Sequence, residues 1–223
     1  MTDSSLVSLL EEAFPCRNFQ TICRDRMRWV PESGYVPSGF GSANGPLDKV
    51  QLIIITAEPS DPLPGETYFG SPNEMIAKEL CLFEDYMRFQ VTDKKSRYFL
   101  NLRVILDLFW PNRSRDEQLK FTWFTTSVKC AAERSGGPIK KEIEIACASL
   151  YLERELSLLS NAFVLALGGK ARDRLKRTKI RVNACAQHPS ARPPTKPRDS
   201  WEKAAKRFGA WVRERGTRAW QIP

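Results

Sequence analysis

The sequence predicts an α/β domain, a three-layer α/β/α sandwich about a central, largely parallel four-stranded sheet, and three observations carry that expectation. Apolar runs recur along the chain, VQLIIIT (50–56), FTWFTTSV (121–128) and AFVLALGG (162–169). The first and third have so few polar breaks that they suit strands buried on both faces, and the second has strand character. Segments of helical spacing separate them, and strands alternating with helices build a parallel sheet covered on two sides. At 223 residues, 42% apolar and 27% charged, the chain is long enough to enclose one core, so a single domain over residues 1–223 is expected. No apolar run approaches the roughly 20 residues of a membrane span, so no membrane partner is expected.

The elements follow in order. Residues 3–14 place Leu6, Leu9, Leu10 and Phe14 at helical spacing behind an Asp or Ser cap. Gly, Pro, Ser and Asn dominate residues 31–48, which read as a surface loop. After the strand at 50–56, helices are expected over 72–90 and 98–109, the second with Leu102, Ile105, Leu106 and Phe109 on one face. Strand 121–128 precedes a long helix over 138–159 that has Pro138 in its first turn. Strand 162–169 turns through its glycines into a basic helix, and KIRVNAC (179–185) is the fourth strand. The last helix, 199–215, starts at Asp199 or Ser200 with Glu202 placed for a capping box, and its inward face is Trp201, Ala205, Phe208, Trp211 and Val212.

The net charge of +9 is unevenly spread. Residues 170–223 carry 16 Lys or Arg against four acids, which leaves the first 169 residues at −3. Such a split suits a polyanion held on one surface, although a helix studded with bases is equally often a solvated face. Met1–Ser4 has neither a basic start nor a long apolar stretch, so a cytoplasmic, reducing setting is expected. A monomer is also expected. There six cysteines read as metal ligands or buried small residues before disulfides.

In parallel sheets, sites gather where loops leave the carboxyl ends of the strands. Four loops are therefore of interest: 57–71, 126–137, 168–171 and 186–198. His188, the one histidine, directly follows a strand in His188-Pro189-Ser190. A lone histidine is commonly a structural hydrogen-bonding residue. Here Glu58 occupies the corresponding loop of the first strand, a position from which a carboxylate activates water or stabilises positive charge.

These residues carry a resemblance. IIITAEPS is similar to a buried strand followed by Gly-Glu-x-Pro-Gly, and Gly65-Glu66-Thr67-Tyr68-Phe69-Gly70 to Gly-x-x-Phe-x-Gly. Thr125-Thr126-Ser127-Val128-Lys129-Cys130 is similar to Thr-Asn-x-Val-Lys-Cys. Pro138, Glu142, Cys147, Tyr151-Leu152, Glu155-Leu156 and VLALGGKA follow in order, and His188-Pro189-Ser190 closes the series. In this order, from about Cys16 to Arg192, the chain resembles the uracil-DNA glycosylase superfamily, its bacterial iron–sulfur branch most of all.

The resemblance implies a monofunctional DNA glycosylase that hydrolyses the N-glycosidic bond of a flipped-out base and leaves an abasic site. His188 would then donate to the base as it gains negative charge, and Glu58 would orient water or stabilise the cation-like sugar. Tyr68 takes the place of the stacking aromatic, with Phe69 next because the loop is shorter than the family's. The base-reading asparagine falls at Thr126, whose smaller side chain lacks the paired amide donor and acceptor. The expected substrate is therefore uracil or a bulkier modified pyrimidine, such as a modified cytosine of phage DNA, in base-excision repair or antiviral defence. Ala57 and Ser60 replace motif glycines.

Cys16, Cys23, Cys130 and Cys147 correspond to the family's ligands for a structural [4Fe-4S] cluster, although six residues separate the first two where the family has two. Such a cluster would take no part in the chemical step. Cys81 and Cys185 are expected in the core. DNA is the implied partner. Ser60 and Ser190 would clamp phosphates, Arg192 would enter the minor groove, and Lys196 and Arg198 would extend the phosphate track. Two other readings use the same fold: a catalytically weak nucleic-acid-binding protein, and an enzyme of free nucleosides or nucleotides, against which the basic C-terminus speaks.

Overall fold

The computed structural model describes residues 2–63, 65–89, 96–191 and 196–215. One sheet has the order β1 (Gly41–Ser42), β3 (Thr122–Thr126), β2 (Leu52–Thr56), β4 (Phe163–Leu167), β5 (Ala184–Ala186); the three predicted apolar runs form β2, β3 and β4, and β1 lies inside the predicted loop 31–48. Pairings β2–β3, β2–β4 and β4–β5 are parallel, and β1 runs antiparallel to β3. The sheet thus has five strands where the sequence predicts four. At two residues, β1 is too short to show a periodicity.

β5 is shorter than the predicted 179–185. Thr178 ends the preceding helix α7 (Gly169–Arg177), and Lys179 takes a φ of +59°. Asn183 then bridges to β4 with its side chain: Oδ1 accepts from the Val164 N–H at 2.7 Å, while the Asn183 N–H donates to the Val164 carbonyl at 2.9 Å. Regular pairing starts only after that bridge.

Alternation along β2 assigns its residues to two apolar clusters. Ile53 and Ile55 pack with Leu6, Leu9 and Leu10 of α1 (Ser4–Glu11), with Tyr151 and with Leu175 of α7. Leu52 and Ile54 pack with Leu102, Ile105, Leu106 and Phe109 of α3 (Ser96–Phe109) and with Trp201 and Phe208 of α8 (Pro197–Glu214). Each such buried side chain contributes about 1.5–3 kcal/mol. Helices on both faces are compatible with a three-layer sandwich.

Two helices differ from expectation. The long helix is interrupted: α5 (Lys141–Cys147) passes through a π-helical turn at Ala148–Leu152 into α6 (Glu153–Leu158), and Pro138 lies ahead of it. α8 begins at Pro197, and the Glu202 capping box does not form. Instead the Ser200 hydroxyl donates to the Pro197 carbonyl and accepts from the Gln187 N–H, and Trp201 Nε1 donates to the Gln187 carbonyl. These bonds tie the start of α8 to the end of β5. Among the described residues no helix is long and apolar enough to cross a membrane.

Candidate active site

A cavity of about 750 Å³ opens at the carboxyl ends of the four parallel strands. Thr56, Ala57 and Glu58 follow β2, Thr126 ends β3, Leu167 and Gly168 end β4, and His188 follows β5; all line it. Of the helices that flank neighbours β2 and β4, α7, which directly follows β4, packs on the face of Ile53, and α3, which lies between β2 and β3 in the chain, packs on the face of Leu52. That reversal opens a crevice in which open α/β sheets bind ligands. The two residues singled out from sequence, Glu58 and His188, therefore meet at one cavity from strands separated by β4.

Glu58 is fixed from both sides. The Ala57 carbonyl accepts from the Ser127 hydroxyl at 2.6 Å and from the Val128 N–H at 3.1 Å, which pins the loop to the extension of β3. The Glu58 side chain is 6% exposed; Oε1 meets Lys170 Nζ at 3.1 Å and Oε2 meets Arg174 Nη1 at 2.5 Å. Lys170 and Arg174 lie one turn apart on α7, so one helix face supplies both cations. Buried Arg174 is held in turn by Glu144 of α5 at 2.9 Å, and Arg177 reaches the same Glu144 at 2.8 Å. Lys170 also donates to the carbonyls of Gly136 and Gly137. The result is a carboxylate of set orientation, with its remaining lone pairs left for the cavity.

His188 is oriented by its own turn. The Ser190 N–H donates to Nδ1 at 3.1 Å, so Nδ1 is the acceptor and Nε2 carries the proton. Burial lowers its pKa below the ordinary 6.5, and the charge of Glu58 opposes the shift only in part. At neutral pH the ring is therefore a neutral donor. Asn101 donates to the Pro189 carbonyl and Arg97 to the Ala191 carbonyl, so α3 holds the turn, and Tyr98 lies with its ring centroid 5.7 Å from that of His188. Gly168 permits the fit: its φ is +95°, and an added Cβ would stand 3.2 Å from His188 Cβ.

Activity that uses the neutral imidazole rises with pH below about 6.5 and is level above it, because protonation places a hydrogen on Nδ1 against the Ser190 N–H. A kcat/KM profile checks this; a maximum on the acid side would reject it. Stability changes in the same sense. The unfolded chain binds more protons in that window, so stability is lost as pH falls through it.

The expected stacking aromatics need correction. Tyr68 is 1% exposed and does not line the cavity, because its hydroxyl is drawn inward to Glu79 at 2.6 Å and Glu66 at 2.7 Å. Phe69 points out, 69% exposed, and is not on the cavity wall either. The aromatic rings on that wall are Tyr35, Phe83, Tyr86, Tyr98 and Phe99, and Tyr86 stacks on Phe99 at 4.7 Å. Thr126 does line the cavity, as expected. It is 1% exposed, and its Oγ1 has no hydrogen-bond partner among the described residues.

Ser60 and Ser190 are exposed and line the cavity, which suits contact with phosphates. Lys196 and Arg198 are exposed at the start of α8, where Arg198 pairs with Glu202 at 2.9 Å. Arg192 lies outside the described residues.

Cys16, Cys23, Cys130 and Cys147 line one small second pocket with Phe19, Met27, Ile143 and Tyr151. Burial pushes the Cys23 thiol up to about 11 and Cys147 to about 12, and raises Cys130 as well; the neighbouring cysteines push each of them further in the same direction. Backbone N–H groups of Asn18 and Lys129 donate to the sulfurs of Cys16 and Cys147. Among the described residues no group of three or more His, Cys, Asp or Glu is placed to hold a single metal ion. A cluster differs from a single ion in this respect, because its thiolates each bind a different iron and need not converge on one point. Cys81 and Cys185 are exposed, not in the core as expected.

Sequence reasoning missed Lys170, Arg174, Glu144 and Glu79. The signal for Glu79 was present, since Ile76, Glu79, Phe83 and Met87 follow helical core spacing with an acid in one place. For Lys170 and Arg174 the i,i+4 spacing shows a shared face but not what that face meets. Neither a scan of protein-family models nor a search of curated proteins gives a match to this chain.

Proposed function

We propose that this protein is a monofunctional DNA glycosylase of the uracil-DNA glycosylase type, which releases a deaminated or modified pyrimidine from a flipped-out nucleotide. The observation that carries the reading is the meeting of Glu58 and the neutral, Nε2-protonated His188 across one cavity at the carboxyl edge of the sheet. Hydrolysis breaks the bond from C1′ to the base nitrogen, the electron pair leaves with the base, and water adds to C1′ while its released proton goes to the departing base anion. His188 Nε2–H donates to the oxygen on which the base gathers charge. Glu58 orients the water and balances the cationic sugar. Stacking falls to the wall aromatics, of which Tyr98 stands nearest His188. Ser60 and Ser190 contact the flanking phosphates, with Lys196 and Arg198 beyond them.

The test is incubation with oligonucleotides carrying uracil, hypoxanthine, hydroxymethylcytosine or glucosylated hydroxymethylcytosine, scored as free base and alkali-labile sites. Release of at least one pyrimidine is expected. No release across the set, with DNA still bound, would favour the nucleic-acid-binding reading instead.

Cys16, Cys23, Cys130 and Cys147 fit a structural [4Fe-4S] cluster, because the four line one small pocket, and the ionised forms of Cys23, Cys130 and Cys147, which burial and neighbouring cysteines disfavour, gain most from a cationic group. Bound there, the cluster would tie the segment around Cys16 and Cys23 to α5, outside the reaction. Anaerobically purified protein should be brown, with about four iron atoms per chain. A colourless, iron-free preparation would remove the cluster.

A further inference from the structure

Resting on the glycosylase reading, we infer that Glu79, together with Thr126, reads the edge of the bound base and selects bases with an exocyclic amino group, cytosine-type over uracil-type. Glu79 sits on α2 (Pro72–Arg88), is 7% exposed and lines the cavity. Its Oε1 accepts from the Gly39 N–H at 2.9 Å. Gly39, with φ +77°, lies so close to Thr126 that an added Cβ would stand 2.8 Å from Thr126 Cγ2. Glu79, Gly39 and Thr126 therefore form one corner of the cavity, at the end of β3.

Glu79 presents acceptors in that corner. The Tyr68 hydroxyl lies 2.6 Å from Glu79 Oε2 and 2.7 Å from Glu66 Oε1. Burial, reinforced by both carboxylates, raises the Tyr68 pKa far above its ordinary value, so Tyr68 is a neutral phenol whose proton lies within reach of both carboxylates. Glu79 meets a donor at each oxygen, the Gly39 N–H at Oε1 and the phenol at Oε2, and a carboxylate has lone pairs beyond these two bonds.

The buried Thr126 hydroxyl, which has no partner among the described residues, supplies a donor beside those lone pairs. A cytosine-type edge presents an amino donor at N4 and an acceptor at N3, which matches this pair. Uracil places O4, an acceptor, where cytosine has its amino group, and acceptor would face acceptor.

Titration calorimetry of the wild-type protein with free 5-hydroxymethylcytosine and 5-hydroxymethyluracil tests this without requiring catalysis, because the two differ at the amino or keto group. At least tenfold tighter binding of the cytosine-type base is expected. Glu79→Gln and Thr126→Asn, each of which adds an amide donor, should cut that preference at least fivefold. Equal or reversed affinities, or no binding of either base, would overturn the inference; so would an unchanged preference in both variants once circular dichroism shows them folded. If the cytosine-type base binds selectively but no base is released from DNA, the glycosylase reading fails and the selectivity stands. If uracil is released and its analogue binds more tightly, the selectivity fails and the glycosylase reading stands.

Discussion

Glu58→Gln is expected to slow base release by about 10²- to 10⁴-fold, the usual range for a positioned acid–base group, with little change in DNA affinity. The substitution keeps size and shape and removes the charge. Lys170 and Arg174 would then face a neutral amide, and the cationic sugar would meet two cations with no adjacent anion. Stability should change little for a specific reason: buried Arg174 keeps Glu144 at 2.9 Å, so its guanidinium is not orphaned. The phosphate contacts assigned to Ser60, Ser190, Lys196 and Arg198 lie on other side chains, so a gel-shift assay with an uncleaved duplex should match wild type. Single-turnover release within threefold of wild type would show that this carboxylate does not act on the reaction.

The alternation of apolar runs was legible because a strand buried on both faces has few other ways to be written, and 52–56, 122–126 and 163–167 all lie inside the predicted ranges. Glu58 and His188 were legible for a topological reason: in a parallel sheet, a residue just past a strand must lie at the carboxyl edge. What lay hidden depends on contacts far apart in sequence. Nothing in the local sequence around Tyr68 shows that its hydroxyl is drawn to Glu79 on the next helix, so the ring that should stack on a base is buried instead. The partners of Glu58 come from more than 110 residues away, and a basic run such as KARDRLKR reads as a solvated face until the fold turns two of its bases inward. Lys129 illustrates the same limit, since a lysine at a strand end gives no sign of being buried.

Lys129 is 1% exposed, and its replacement by Met should cost about 3–5 kcal/mol, the largest stability change expected of any single site described. Its ammonium meets Glu155 Oε1 of α6 as an ion pair, donates to Thr125 Oγ1, and reaches the Thr126 carbonyl at 3.3 Å. Glu155, also 1% exposed in its side chain, accepts from Trp123 Nε1 at 3.1 Å through Oε2. Met fills a similar volume, so the cost comes from the charge left behind on Glu155, which has no water to turn to. For a chain of this length that corresponds to roughly 6–20 °C in Tm. The double variant Lys129→Met/Glu155→Gln removes both charges and keeps an acceptor for Trp123, so it should recover more than half of the loss. Equal Tm values for the single and double variants would show that packing, not the orphaned charge, sets the cost. The pair also bears on function through position. Lys129 lies between Thr126 at the cavity and Cys130 in the thiol pocket, and its N–H donates to Cys147 Sγ at 3.3 Å. Destabilising it should loosen the base-reading corner and the thiol pocket together, whereas Glu58→Gln should leave both intact while removing the chemistry.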